Sequence, residues 1–95
     1  MSSHAITVTV LLSLADSSSL KDKRSVIRSI LDRFGKARNI AASETGMRDS
    51  WAEAELTLSV VGDSPSYVEN EAERLIAAME GSYDLTVTVI RTESY

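Results

Sequence analysis

Seven of the ten basic residues in this 95-residue chain fall between positions 21 and 38: Lys21, Lys23, Arg24, Arg28, Arg33, Lys36 and Arg38. Only Asp22 and Asp32 oppose them there. The stretch therefore carries about +5, within a chain of net charge -4, which leaves about -9 elsewhere. Cations gathered in this way can hold phosphates, because neutralising a polyanion releases its condensed counterions. Lys21 and Arg24 are three apart, and Arg24 and Arg28 four apart, so on a helix they line one flank. Two plainer readings compete. Lys and Arg are good helix formers, and any surface helix needs a solvated side. The cations could also pair within the chain, with Asp22, Asp32 or the later acids Glu69, Glu71 and Glu73.

Other chemistry finds little support. The chain has no Cys and one His, at position 4. Disulfides, thiol catalysis, thiolate metal sites and multi-His metal sites are excluded. The four glycines, at 35, 46, 62 and 81, are too dispersed for a phosphate-binding loop. No Ser, Thr or Lys stands beside a base in a recognisable nucleophile arrangement. Glu44 and Asp49 could form an acid–base pair, but turn chemistry explains Asp49 and Gly46 more simply. The chain reads as a non-enzyme that needs no cofactor and no metal.

Apolar residues make up 43% of the chain and charged residues 25%, too apolar a balance for disorder. The length suits a single domain spanning 1–95. No apolar run approaches the roughly 20 residues of a membrane span. The opening residues carry no basic cluster of the signal-peptide kind. A cytoplasmic protein is expected, with flexible ends at 1–3 and 93–95.

The elements that must position the cations follow from periodicity. Ile6, Val8, Val10, Leu12 and Leu14 alternate with Thr7, Thr9, Leu11 and Ser13, the period of a strand. Ser19 suits a helix N-cap, with Asp22 three residues on as a weak capping box. Leu20, Val26, Ile27, Ile30, Leu31, Phe34 and Ala37 then share an arc of about 140° on a helix over 20–37. Lys23 is the one charge inside that arc. A short strand is expected over 39–45, a turn over 46–50 and a strong strand over 52–61. In the latter Ala54, Leu56, Leu58 and Val60 face one way. Ser64 and Pro65 open a second helix as N-cap and first-turn Pro, which Gly81 should close. A last strand covers 85–90, followed by a polar tail over 92–95. Trp51, beside the turn, is expected to anchor the hairpin end of the core.

The order β-α-β-β-α-β specifies an α+β, ferredoxin-like two-layer sandwich: a four-stranded antiparallel sheet with both helices on one face. The helix-free face should carry Thr7, Thr9, Leu11, Ser13, Ala41, Ser43, Glu55, Thr57, Ser59, Thr86 and Thr88. It holds no aromatic residue, which argues against base stacking on the sheet.

Two blocks of residues carry a family resemblance. Ser19, Leu20, Lys21, Asp22, Lys23 and Arg24, opening a helix after the first strand, resemble the Ser-Leu-Lys-x-Lys-Arg signature of the YlxP-like family of small bacterial proteins of unassigned function. Glu44, Gly46, Asp49, Trp51 and Ala54 resemble that family's hairpin motif. Ala52 and Glu53 depart from it, where more polar or basic residues are expected. The resemblance implies the same ferredoxin-like fold. In some bacteria it also implies a gene neighbourhood of translation-initiation and ribosome-maturation factors.

The expected function is a non-enzymatic RNA- or ribosome-associated binding module. Its basic helix would contact phosphates of ribosomal RNA or of a ribosome-assembly intermediate. The alternative is a protein-interaction or self-associating module, a homo-oligomer built through edge strands and the Thr/Ser sheet face.

Overall fold

The computed structural model describes residues 3–95. Its elements are β1 (His4–Leu14), α1 (Leu20–Phe34), β2 (Ile40–Gly46), β3 (Glu53–Gly62), α2 (Pro65–Ser82) and β4 (Leu85–Ser94). The strands form one sheet in the order β2-β3-β1-β4, with every neighbouring pair antiparallel. This is the ferredoxin-like arrangement.

Strand parity places the core as expected. Ile6, Val8, Val10, Leu12 and Leu14 of β1 and Ala54, Leu56, Leu58 and Val60 of β3 are buried. They meet Ile27, Ile30 and Phe34 of α1 and Val68, Ala72, Leu75 and Met79 of α2. Both helices begin at their expected caps. The Ser19 hydroxyl accepts from the Asp22 N–H at 3.1 Å, and the Ser64 hydroxyl accepts from the Tyr67 N–H at 3.2 Å. The Asp22 carboxylate turns outward to accept from the Ser18 hydroxyl at 2.8 Å and its N–H at 3.3 Å.

Three boundaries differ from expectation. Helix α1 stops at Phe34, because Gly35 leaves helical geometry and its N–H closes onto the Leu31 carbonyl at 2.9 Å. A Cβ at Gly35 would lie 2.7 Å from that carbonyl oxygen. Lys36 and Arg38 therefore lie on the loop before β2. Helix α2 runs through Gly81 to Ser82, with no glycine at positive φ. Its end is held from outside the helix, where the Tyr83 hydroxyl meets the Ser29 hydroxyl of α1 at 2.7 Å.

The polar residues from Thr92 onward are strand. Strand β4 follows β1 to the Ile6↔Ser94 pair, and Ala5 and Tyr95 exchange backbone hydrogen bonds at 2.8 and 3.0 Å. Local polarity suggested a tail, but the long β1 offers backbone partners to its end. Of the ends expected to be flexible, 93 and 94 are paired in the sheet, and 1 and 2 lie outside the described residues.

Candidate nucleic-acid interface

Helix α1 packs its apolar arc on the sheet and turns its cations outward. Lys21, Arg24, Arg28 and Arg33 on the helix, and Lys36 and Arg38 beyond it, are all exposed. Among the described residues none of these six makes an ion pair within 4.0 Å. Arg33 has instead its guanidinium 5.1 Å from the Phe34 ring centroid. The competing reading, pairing across the helices, finds no such ion pair among the described residues, and Glu71 binds Arg74 of its own helix. That bond holds the Glu71 carboxyl below the usual carboxylate range.

Lys23 is a correction. It was expected among the phosphate contacts, yet it is 1% exposed. Its place in the apolar arc aims it beneath the helix, where Nζ lies 3.3 Å from Glu44 Oε2 and donates to the Met47 carbonyl. Glu44 faces the helices because its register partner is the buried Leu56. Its Oε2 is buried and accepts no hydrogen bond, so the pair is held by charge and not by donor geometry. Arg48 closes the group from outside, donating to the Glu44 carbonyl at 2.7 Å with Nη1 3.8 Å from Oε1. The two motif blocks thus meet at one contact, and Lys23 is unavailable to a ligand.

The β2–β3 hairpin is shaped by that contact. A register shift after Glu44 sets Thr45 beside Glu55 and Thr57, to which its hydroxyl bonds at 2.7 and 2.8 Å. Gly46 lets the Glu55 carboxylate approach, since a Cβ there would meet it at 3.0 Å. Met47 takes a left-handed φ of 56°, unusual for a residue with a side chain. The Ser50 N–H donates to its carbonyl at 3.1 Å, closing a turn that leaves Asp49 exposed. Of the two carboxyls singled out from sequence, Glu44 is committed to Lys23 and Arg48. Ala54 lies fully in the core.

Trp51 is the second correction. It is 52% exposed, not a core anchor, and Met47 beside it is 42% exposed. The chain there still lies between the turn and the first ladder pair of β3, so the indole lies outside the two-layer core. Sequence reading also missed Arg48, which occupies an unspecified position of the hairpin motif. Its signal was its place three residues before the Trp, in a segment already read as a turn. With Arg24 and Arg28 it lines a groove of about 370 Å³ between α1 and β2, floored by Ile27 and Leu31 and lined also by the carboxylates of Asp32 and Glu44.

The helix-free sheet face is engaged with itself. Thr7 bonds Ser59 at 2.6 Å, and Thr9 lies 3.3 Å from Thr57. A register shift in β4 also brings Arg91 and Glu93 to this face, paired at 3.3 Å. Among the described residues no cluster of three or more His, Cys, Asp or Glu could hold a metal ion. No described helix is long and apolar enough to cross a membrane.

A family model described as "Protein of unknown function (DUF503)" matches residues 6–92. The chain belongs to the DUF503 family. The Uncharacterized protein YlxP of Bacillus subtilis (strain 168) is 33% identical over 78 residues, 82% of this chain and 85% of that protein. The resemblance carried by the two motif blocks is therefore borne out. Among solved structures the chain is similar to the de novo designed protein Foldit4, with a TM-score of 0.54 and 15% identity, covering 97% of each chain. It is also similar to YXEP of Bacillus subtilis, a dinuclear metal binding peptidase from the M20 family. That likeness has a TM-score of 0.60 at 10% identity and covers 98% of this chain but 26% of the other. A designed protein and a peptidase share the fold, so for this family function has to be argued from side chains.

Proposed function

We propose that the chain is a non-enzymatic, cytoplasmic binding module that holds RNA phosphates on the outer side of α1. Ribosomal RNA, free or within an assembly intermediate, is the partner that the family resemblance implies. The observation that carries this reading is the set of six exposed cations that make no ion pair within 4.0 Å among the described residues: Lys21, Arg24, Arg28, Arg33, Lys36 and Arg38. The competing reading needed these charges to pair with Asp22, Asp32 or the acids of α2; among the described residues no such pair lies within 4.0 Å, and Glu71 binds Arg74. Exposed cations beside an acidic remainder also orient an approaching polyanion toward one side.

The test is a filter-binding titration with ribosomal RNA across salt concentrations. Three or four phosphate contacts to a largely single-stranded target give a log–log salt slope of about -2 to -3. Reversing Lys21, Arg24 and Arg28 to Glu should abolish retention and leave the fold intact, because all three side chains are exposed. Equal retention of the wild type and the triple variant would defeat the reading.

A second reading, self-association, is favoured by β4. It is an outer strand of ten residues, and Val89 and Ile90 on it are 49% and 51% exposed. An exposed strand edge is a template for pairing with a second copy. Light scattering at low and high salt separates the two, since edge pairing gives a dimer whether or not RNA is present.

A further inference from the structure

We infer that the nucleic acid taken by this surface is single-stranded, with a base stacked on Trp51 and its neighbouring phosphates held by Arg48, Arg24 and Arg28. The inference rests on the phosphate reading above and names the form of its ligand. A lone exposed apolar residue would mean little. Here an indole 52% exposed, a thioether 42% exposed and an Arg side chain 67% exposed share one hairpin turn. The groove beside them carries three arginines, Arg24, Arg28 and Arg48, against the carboxylates of Asp32 and Glu44, and Glu44 is already paired with the buried Lys23. A π-face beside exposed arginines is the combination that binds unpaired strands, because every base has a face to stack and every nucleotide a phosphate.

The platform is stiff. The hairpin is tied by Ser50 N–H to Met47 C=O at 3.1 Å, Glu53 N–H to Ser50 Oγ at 3.1 Å and Leu14 N–H to Ala52 C=O at 2.8 Å. From below, the buried Lys23 ammonium holds the Met47 carbonyl. Little ordering therefore remains to be done on binding. Arg48 and Trp51 are three residues apart, so their Cα atoms are within about 11 Å. That is the reach of a few nucleotides at about 3.4 Å per stacked base. Arg48 shares its groove with Arg24 and Arg28, so the phosphate track leads from the indole onto α1.

The other exposed aromatic residues are badly placed for this task. The Tyr67 hydroxyl accepts from Asn39 Nδ2 at 2.8 Å, at the opposite end of β2 from the hairpin. The Tyr95 hydroxyl donates to the Glu93 carboxylate at 3.0 Å, and Tyr95 pairs with Ala5, at the opposite end of β1 from the hairpin. Within a duplex the bases are already stacked and cannot reach an indole on a hairpin tip. Discrimination against duplex therefore follows from the same geometry.

Trp51 is the only Trp in the chain, so its emission reports on this position alone. The experiment titrates the protein at low salt with oligouridylate, oligothymidylate and an RNA duplex of equal length. It follows Trp51 emission and filter retention together. Both single strands should quench the emission and be retained, and the duplex should leave the emission unchanged. Trp51→Leu should weaken single-strand binding about five-fold or more, and Trp51→Phe should restore most of it. The salt slope should be unaltered in both variants. Retention of single strands without quenching, and with no effect of Trp51→Leu, would overturn the stacking while leaving the phosphate reading in place. Duplex retained as tightly as single strand would also overturn it. Failure of the wild type to retain any of the three would remove the phosphate reading and the inference together.

Discussion

Replacing Lys23 by methionine isolates the contact that joins the two motif blocks. Methionine keeps the length and apolar stem of lysine, so the change removes the ammonium with little loss of packing. What remains is the Glu44 carboxylate, whose Oε2 is buried and already accepts no hydrogen bond. Removing one member of a buried ion pair costs about 3–5 kcal/mol, because the other charge is left uncompensated. Glu44 keeps 17% of its surface, and Arg48 stays 3.8 Å from Oε1. The lower end, about 3 kcal/mol, therefore applies. For a domain of this size that corresponds to a fall in Tm of about 12–24 °C. The Met47 carbonyl keeps the Ser50 N–H, so the turn should not unravel. Adding Glu44→Leu removes the stranded charge, and the double variant should return to within about 1 kcal/mol of wild type. Urea denaturation followed by circular dichroism on all four proteins measures the coupling. A single-variant loss under about 1 kcal/mol, or a double variant as unstable as the sum of its parts, would refute the structural role assigned to Lys23.

Trp51→Ala should lower stability by about 1 kcal/mol, well under the roughly 3–5 kcal/mol of a buried aromatic truncation, as a urea melt would register. A hydrogen bond with the Asp16 carboxyl raises the Asp84 carboxyl above its ordinary value of 3.8. A raised carboxyl stabilises the fold fully below pH 3.8, and that contribution is lost as pH rises through the folded value. Asp84→Asn should therefore melt higher than wild type at neutral pH, with the margin closing below pH 3.8; a margin independent of pH would contradict the raised Asp84 carboxyl.

Much of the fold was legible because its signals are local. Alternation in β1 and β3 identified the core side residue by residue, since a strand turns successive side chains to opposite faces. Ser19 and Ser64 marked both helix starts, because a cap needs only its own hydroxyl and an N–H three residues on. The exposure of Lys21, Arg24 and Arg28 also followed from helical period alone. Family membership was legible too, from two short blocks.

The failures share a cause. Gly81 suits a helix end, yet α2 runs on to Ser82, and the Tyr83 that follows meets Ser29, 54 residues away. Thr92 to Ser94 suit a tail, yet β1 offers them a backbone ladder. Trp51 is of a type that belongs inside, but whether a hairpin end is covered depends on how far the helices reach over it. Lys23 is the sharpest case. Periodicity put it on the buried arc and charge put it among the cations, and its own residues could not choose between them. The choice was made by Glu44 and Met47, the latter 24 residues away, which supply a counter-charge and a carbonyl at that one point. A side chain's direction follows from the local backbone, but the sign and place of the charge that receives it exist only once the chain has closed.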